Sequence, residues 1–272
     1  KAEVILYRPT GESGDFEKAN FPIGVEGGKT STCPTQNLME AYDMKDGTPF
    51  VWNNQSNPYD NRDPRMKYTI VCNEMKWPVD PVEIWEGGTN GLPLQNATTT
   101  GYYLKKYVNN TISFEAGSTV TKKQHNWVLF RYGEILLNYA EAMINAFHDP
   151  NYKDAVYNMS AREAVNQIRG RTNISLPGFP SDITEKDFVK RLKNERRVEL
   201  AFEGHRFWDV RRWKELGQTA NIYGVKITKN NEVISYEKFL LETRAVTDNM
   251  YFYPIPNTER FKNPNLGQNP GW

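Results

Sequence analysis

The chain has 272 residues, 38% hydrophobic and 25% charged, ordinary proportions for a protein that buries a sizeable core. Its 34 lysines and arginines nearly balance 33 aspartates and glutamates, leaving a formal net charge of +1. That balance excludes the basic excess on which phosphate-backbone binding depends, so nucleic acid is set aside as a partner.

The longest apolar runs, such as Ile135 to Leu137 and Ala142 to Ile144, fall far short of the roughly 20 residues that span a bilayer. The opening segment, Lys1 to Pro9, starts without Met and lacks the long apolar core of a signal peptide. The chain therefore reads as a piece of a longer or processed product, with any targeting signal upstream. Cys33 and Cys72 are too few for a disulfide-rich scaffold and do not form a CxxC metal site. They read as two separate thiols, with a bridge as the alternative.

Residues 1–125 hold 9 of the 16 prolines and 11 of the 19 glycines, in clusters such as Thr10 to Gly14, Asn53 to Pro58 and Glu86 to Gly91. This predicts a loop-rich region and makes it the candidate ligand-binding side. Runs rich in β-branched and aromatic residues predict short strands at Glu3 to Tyr7, Lys67 to Val71 and Gly101 to Val108. From residue 126 to 272 the pattern turns helical. Trp127 to Phe147 is apolar almost everywhere except Arg131, Glu134, Asn138, Glu141 and Asn145, whose spacing makes one narrow polar stripe on a central helix. Ser160 with Glu163 forms a capping box ahead of Ala161, Ala164, Val165 and Ile168, and Gly170 offers the C-cap of an antiparallel partner. Thr184 caps a third helix expected from Glu185 to about Glu203, and Gly204 precedes a short helix carrying Phe207, Trp208, Val210, Trp213 and Leu216. Turns and short strands follow Gly217.

The densest charge pattern joins Glu195, Arg196, Glu199, Glu203, Arg206, Asp209 and Arg211. The three glutamates share a helix face led by Phe188 and Leu192, so they point toward protein. The expected reading is a structural ion network in which Arg196, Arg206 and Arg211 fork onto the glutamates. Glycoside hydrolysis is the alternative, but it needs acids converging on a sugar from opposite sides, which consecutive residues of one helix supply poorly. His125, His148 and His205 stand alone without metal-ligand spacing, and Asp60 to Asp63 lacks the pattern of a calcium loop and reads as a solvated turn. No metal and no cofactor are expected. Aromatic rings placed among Gly, Pro, Asn and Asp, namely Trp52, Tyr59, Trp77, Trp85, Tyr102 and Tyr103, are candidates to stack on a sugar; the competing reading is that each anchors its loop.

Ordered motifs along nearly the whole chain resemble the C-terminal half of the SusD/RagB-type nutrient-binding lipoproteins of Bacteroidetes. They are Pro34 to Leu38 leading into Met44 to Thr48, Asn61 to Arg65, Arg131 to Ala142, Asn194 to Arg206, Asp209 to Trp213, Pro254 to Pro256 and Gln268 to Gly271. The resemblance implies a mainly α protein with tetratricopeptide-like helix packing, a large loop-rich region and a few short β-strands. It also implies a surface-exposed outer-membrane lipoprotein, held by a lipid anchor upstream of this chain, that delivers oligosaccharide to a SusC-like TonB-dependent transporter. The named motifs are packing and ion-pair signatures in that family. Trp52, Trp77 and Trp85 lie where members tend to place sugar-stacking rings, and with Tyr59 and Tyr102 they are the candidate ligand contacts. The function expected is glycan binding without turnover. The alternatives are peptide capture, a protein-interaction module and a glycosidase using Glu195 with Glu199 or Glu203.

Overall fold

The structure, a computed structural model, describes residues 3–53, 57–115 and 121–272. Lys1 and Ala2 of the opening segment, and Asn54, Gln55 and Ser56 of the Asn53 to Pro58 cluster, lie outside the described residues.

The chain enters as strand β1 (Val4–Ser13), longer than expected, followed by helix α1 (Asp15–Asn20). Helix α2 (Gln36–Met39) starts where the Thr35 side chain accepts a hydrogen bond from the Leu38 amide. Helix α3 (Pro64–Thr69) occupies most of the segment expected to be a strand, leaving only Ile70–Val71 extended as β2. The reason is local: the Asp63 carboxylate caps the helix, and Pro64 sits in its first turn, where a missing N–H costs nothing. β2 pairs antiparallel with β3 (Tyr103–Leu104).

The central helix also starts later than its apolar pattern predicts. Lys123–Arg131 is strand β4, antiparallel to β1, and α4 runs from Tyr132 to Phe147. Trp127, Val128 and Phe130 face Arg8, Tyr7 and Leu6 across that ladder. These residues suit a strand as well as a helix, and a partner strand far away in sequence decides between them. The expected polar stripe divides along its length: Arg131, at the end of β4, and Glu134 are buried, while Asn138 and Asn145 are exposed and Glu141 is half-buried, with Asn138 and Glu141 accepting bonds from Arg196 and Arg212.

Helix α5 (Ala161–Arg169) carries both bonds of the Ser160–Glu163 capping box and ends at Gly170, as expected. Helix α6 (Glu185–Glu199) begins at the Thr184 cap but stops before Glu203, which lies in the turn leading to α7 (Arg206–Arg212). Leu137, Ile144, Ala164, Ile168, Phe188 and Leu192 form the core among α4, α5 and α6, the tetratricopeptide-like part of this mainly α fold. A 3-10 turn (Leu216–Thr219) then leads into a long hairpin, β5 (Asn221–Asn230) and β6 (Val233–Thr243), in place of the short strands anticipated. A second 3-10 turn (Asp248–Tyr251) and helix α8 (Asn257–Lys262) complete the described elements.

A second core ties the loop-rich residues to this frame. Met39, Tyr42, Met66, Ile70 and Tyr102 pack together with Val198 of α6 and Val225 and Ile227 of β5. Helix α6 thus contributes to both cores. Cys33 and Cys72 are both free thiols, and burial pushes Cys72 up to about 12. Among the described residues no helix is long and apolar enough to cross a membrane, and no group of metal-ligating side chains is assembled.

Candidate functional site

The buried face of α6 carries the glutamates inward: Glu195 is 3% exposed and Glu199 is 5% exposed. Their partners come from remote parts of the chain. Arg65 Nη1 lies 2.5 Å from Glu195 Oε1 and 2.9 Å from Glu199 Oε2, while its Nη2 holds Asp63 at 2.7 Å. Arg131 Nη1 meets Glu199 at 2.8 Å and its Nε meets Glu203 at 2.7 Å. Arg169 pairs with Glu195 at 2.7 Å, Arg171 with Glu199 at 2.7 Å, and Lys106 with Glu203 at 2.6 Å. Burial pushes the Glu199 carboxyl up, but the charges of Arg65, Arg131 and Arg171 outweigh it and hold the group down at about 2. Glu195 and Glu203 are lowered in the same way: burial opposes ionisation, and Arg65 and Arg131, respectively, overcome it.

The arginines expected to make these bonds are occupied elsewhere. Arg196 Nε donates to Asp209, 2.8 Å from Oδ2, and its Nη1 donates to Asn138. Arg206 bonds Gln218, and Arg211 lies 3.5 Å over the Phe207 ring. A helical residue next in sequence to Glu195 or Glu199 points to another face, so the nearest arginines in the chain are poorly placed to reach them. The Asp60 to Asp63 turn is corrected in the same way. Asp60 is exposed, but Arg62 is buried and donates to the carbonyls of Met39, Tyr42 and Pro58, while Asp63 caps α3 and holds Arg65.

The candidate ligand-binding rings do not share one surface. Tyr59 and Tyr102 meet edge-on, 6.1 Å apart at 79°, inside the core, where they are 5% and 0% exposed. Tyr102 donates its hydroxyl hydrogen to Gln36, and Tyr59 packs edge-on against Tyr236. Tyr103 is equally buried, with its hydroxyl donating to the Asn90 carbonyl. Trp52 is half-buried, edge-on to Phe50 at 6.5 Å, and Trp85 is half-buried beneath the Lys229 ammonium. Trp77 is buried, with the Lys105 ammonium 4.9 Å from its ring centroid.

Trp77 nevertheless lines a groove of about 660 Å³ built wholly from loops. Ile112 and Phe114 add apolar wall, while Asn110, Thr111 and Asp80 present amide, hydroxyl and carboxylate groups. Asn90, at the same wall, is fixed by accepting from the Glu83 amide and donating to the Ile23 carbonyl. Such a cavity has the size and the mixed lining of a small-ligand site. The sequence reading missed Asn110, Ile112 and Phe114, because nothing in their own segment marks them as neighbours of Trp77. It also missed a surface cluster in which Trp208, Phe252 and Tyr253 are 58%, 63% and 56% exposed, around a shallow hollow of about 940 Å³.

The molecule is thus a helical frame holding a buried ion network, with loops assembled into a groove that is both polar and apolar. The chain belongs to the SusD family, whose family model matches residues 5–272. It is similar to two SusD-like proteins of Formosa agariphila. One, P2, is 29% identical over 163 residues, 58% of this chain and 28% of that protein; the other, P38, is 37% identical over 150 residues, 53% and 24%. Two solved structures from Bacteroides fragilis are also similar. A SusD-like protein has a TM-score of 0.80 at 26% identity, covering 99% of this chain and 54% of its own, and a SusD-like carbohydrate-binding protein has 0.76 at 25%, covering 97% and 54%. The chain thus spans about half the length of these solved relatives, and its matched part about a quarter of the curated ones.

Proposed function

We propose that this chain is the part of a cell-surface protein that binds glycan at the bacterial outer membrane and passes it, chemically unchanged, to a SusC-like TonB-dependent transporter. Membership of the SusD family and the similarity to a carbohydrate-binding protein of Bacteroides fragilis support this reading. The observation that carries it is the loop-built groove beside Trp77, where exposed Asn110, Thr111 and Asp80 offer hydrogen bonds to sugar hydroxyls next to an apolar wall. The lipid anchor expected for such a protein would lie upstream of this chain.

The glutamates argue against hydrolysis. A glycosidase needs a carboxyl whose pKa is raised so that it can donate a proton, whereas Glu195, Glu199 and Glu203 are all lowered and each is held by basic side chains. Calorimetric titration with a panel of neutral oligosaccharides tests the proposal. Saturable binding without release of new reducing ends, weakened about tenfold by Asn110→Ala through the loss of its hydrogen bonds, is the expected result. Peptides that bind while every glycan fails would reassign the groove to peptide capture.

A further inference from the structure

Helix α6 has a second face. Opposite the buried glutamates, Lys186, Lys190, Lys193 and Arg197 follow one another at helical spacing along a cleft of about 470 Å³. Residues of the 40–50 segment and Arg206 with Glu215 close its other sides.

Charge in this cleft is unbalanced. Its three carboxylates are all engaged: Glu40 with Lys238 at 2.8 Å, Asp43 with Arg169 at 3.4 Å and Arg191 at 3.6 Å, and Glu215 with Lys193 at 2.5 Å. Among the described residues, Lys186, Lys190, Arg197 and Arg206 make no ion pair, although the lining includes them all. Exposed lysines on a helix are ordinarily a solvated face and require nothing more. Arg197 and Arg206 differ because both are half-buried. Arg197 makes one hydrogen bond, Nη2 to the Asn37 carbonyl at 2.8 Å, and Arg206 makes one, Nη2 to Gln218 at 2.8 Å. Each guanidinium has five N–H donors, so most of these donors have no protein acceptor. Burial, and then the neighbouring Arg206 charge, draws Arg197 down to about 10. Two half-buried guanidiniums share one cleft, and the nearest carboxylates, Glu40 and Glu215, act on them while ion-paired to Lys238 and Lys193, which leaves an excess of positive charge that a bound anion would offset.

We infer that this cleft binds the anionic group of an acidic sugar, a carboxylate or a sulfate ester, at Arg197 and Arg206. A planar guanidinium pairs with either oxyanion through two parallel hydrogen bonds. Pro49, Phe50 and Val189 line the same cleft and supply apolar surface for the sugar ring. An acidic peptide meets the charge requirement too, but the compact cavity with an apolar wall fits a short oligosaccharide better than an extended chain. The inference rests on the glycan reading above and adds to it a second subsite, in a cleft separate from the Trp77 groove, that takes acidic sugars.

The test is calorimetric titration of the protein with trigalacturonate, a sulfated galactose oligosaccharide, neutral galactotriose and triglutamate as separate arms. At least one acidic sugar binds at least about tenfold more tightly than galactotriose, and loses that advantage when salt is raised from about 0.05 to about 0.5 M. Arg197→Gln and Arg206→Gln each weaken it about tenfold or more. The second variant carries the test if the first fails to fold, since Arg206 gives up an exposed bond to the Gln218 side chain whereas Arg197 gives up a part-buried bond to the Asn37 backbone. The carboxylate and sulfate arms tell the two sources apart. Equal affinity for acidic and neutral sugars, indifference to both arginine variants, or tighter binding of triglutamate overturns the inference. Neutral-sugar binding that responds to Asn110→Ala but not to Arg197→Gln leaves the glycan reading standing while this one falls, and failure of every sugar removes both.

Discussion

Arg65 is the residue on which the buried network turns, and its replacement gives a measurable cost. Its guanidinium bonds three carboxylates, Asp63, Glu195 and Glu199, at distances from 2.5 to 3.1 Å. Arg65→Met keeps a flexible stem and removes the charge. Glu195 then retains Arg169, and Glu199 retains Arg131 and Arg171, but Asp63 loses the one ion pair it makes among the described residues and keeps the backbone amide of residue 65. Breaking one partner out of a buried pair costs about 3–5 kcal/mol, a large share of the roughly 5–15 kcal/mol that holds a domain folded. Arg65→Lys keeps the charge but loses the fork that reaches several carboxylates at once, and costs about 1.5–3 kcal/mol. Urea unfolding followed by circular dichroism measures both values from midpoint and slope. A Met variant within about 1 kcal/mol of the parent would refute the central role of this ion network. A Lys variant as damaged as the Met variant would show that shape, not charge, is what the site requires.

The same network predicts a pH response. Glu199 is held at about 2 against an ordinary 4.5, so its contribution, about 3 kcal/mol, is complete above pH 4.5 and is lost as pH falls through about 2. Glu199→Gln lowers stability at neutral pH and flattens the acid limb of the stability curve, and acid limbs that run parallel in the two proteins would contradict this. Ser160→Ala removes half of the capping box at α5 and costs about 1 kcal/mol in the same unfolding assay; no change would mean that packing alone starts the helix. Gly101 sits at φ +82° with the site of a Cβ only 2.4 Å from the Val225 carbonyl oxygen. Gly101→Ala is therefore expected to cost about 2 kcal/mol or more, and a variant as stable as the parent would show that β5 yields easily there.

Short-range chemistry was sufficient for some of this protein. Ser160 with Glu163, Gly170 and Thr184 mark helix ends that the structure places at those residues, because a cap is an interaction over a few residues of one chain. The start of α3 was equally legible in Asp63 and Pro64, though the β-branched residues downstream masked it. The inward direction of Glu195 and Glu199 followed from helical periodicity with Phe188 and Leu192, whereas Glu203, expected on the same helix face, lies in the turn beyond α6. Which cations answer those glutamates did not, since Arg65 lies 130 residues from Glu195 and Arg131 lies 68 from Glu199. The rings show the same division. Composition identified aromatic residues in loops, but burial is the sum of contacts made by the whole chain. Tyr59 is covered by Tyr102 and by Tyr236 of β6, while the groove beside Trp77 is closed by Ile112 and Phe114. The basic cleft has a similar origin: α6 supplies its row of cations, and only tertiary packing brings Arg206 into the cleft with Arg197 while its three carboxylates pair with other cations.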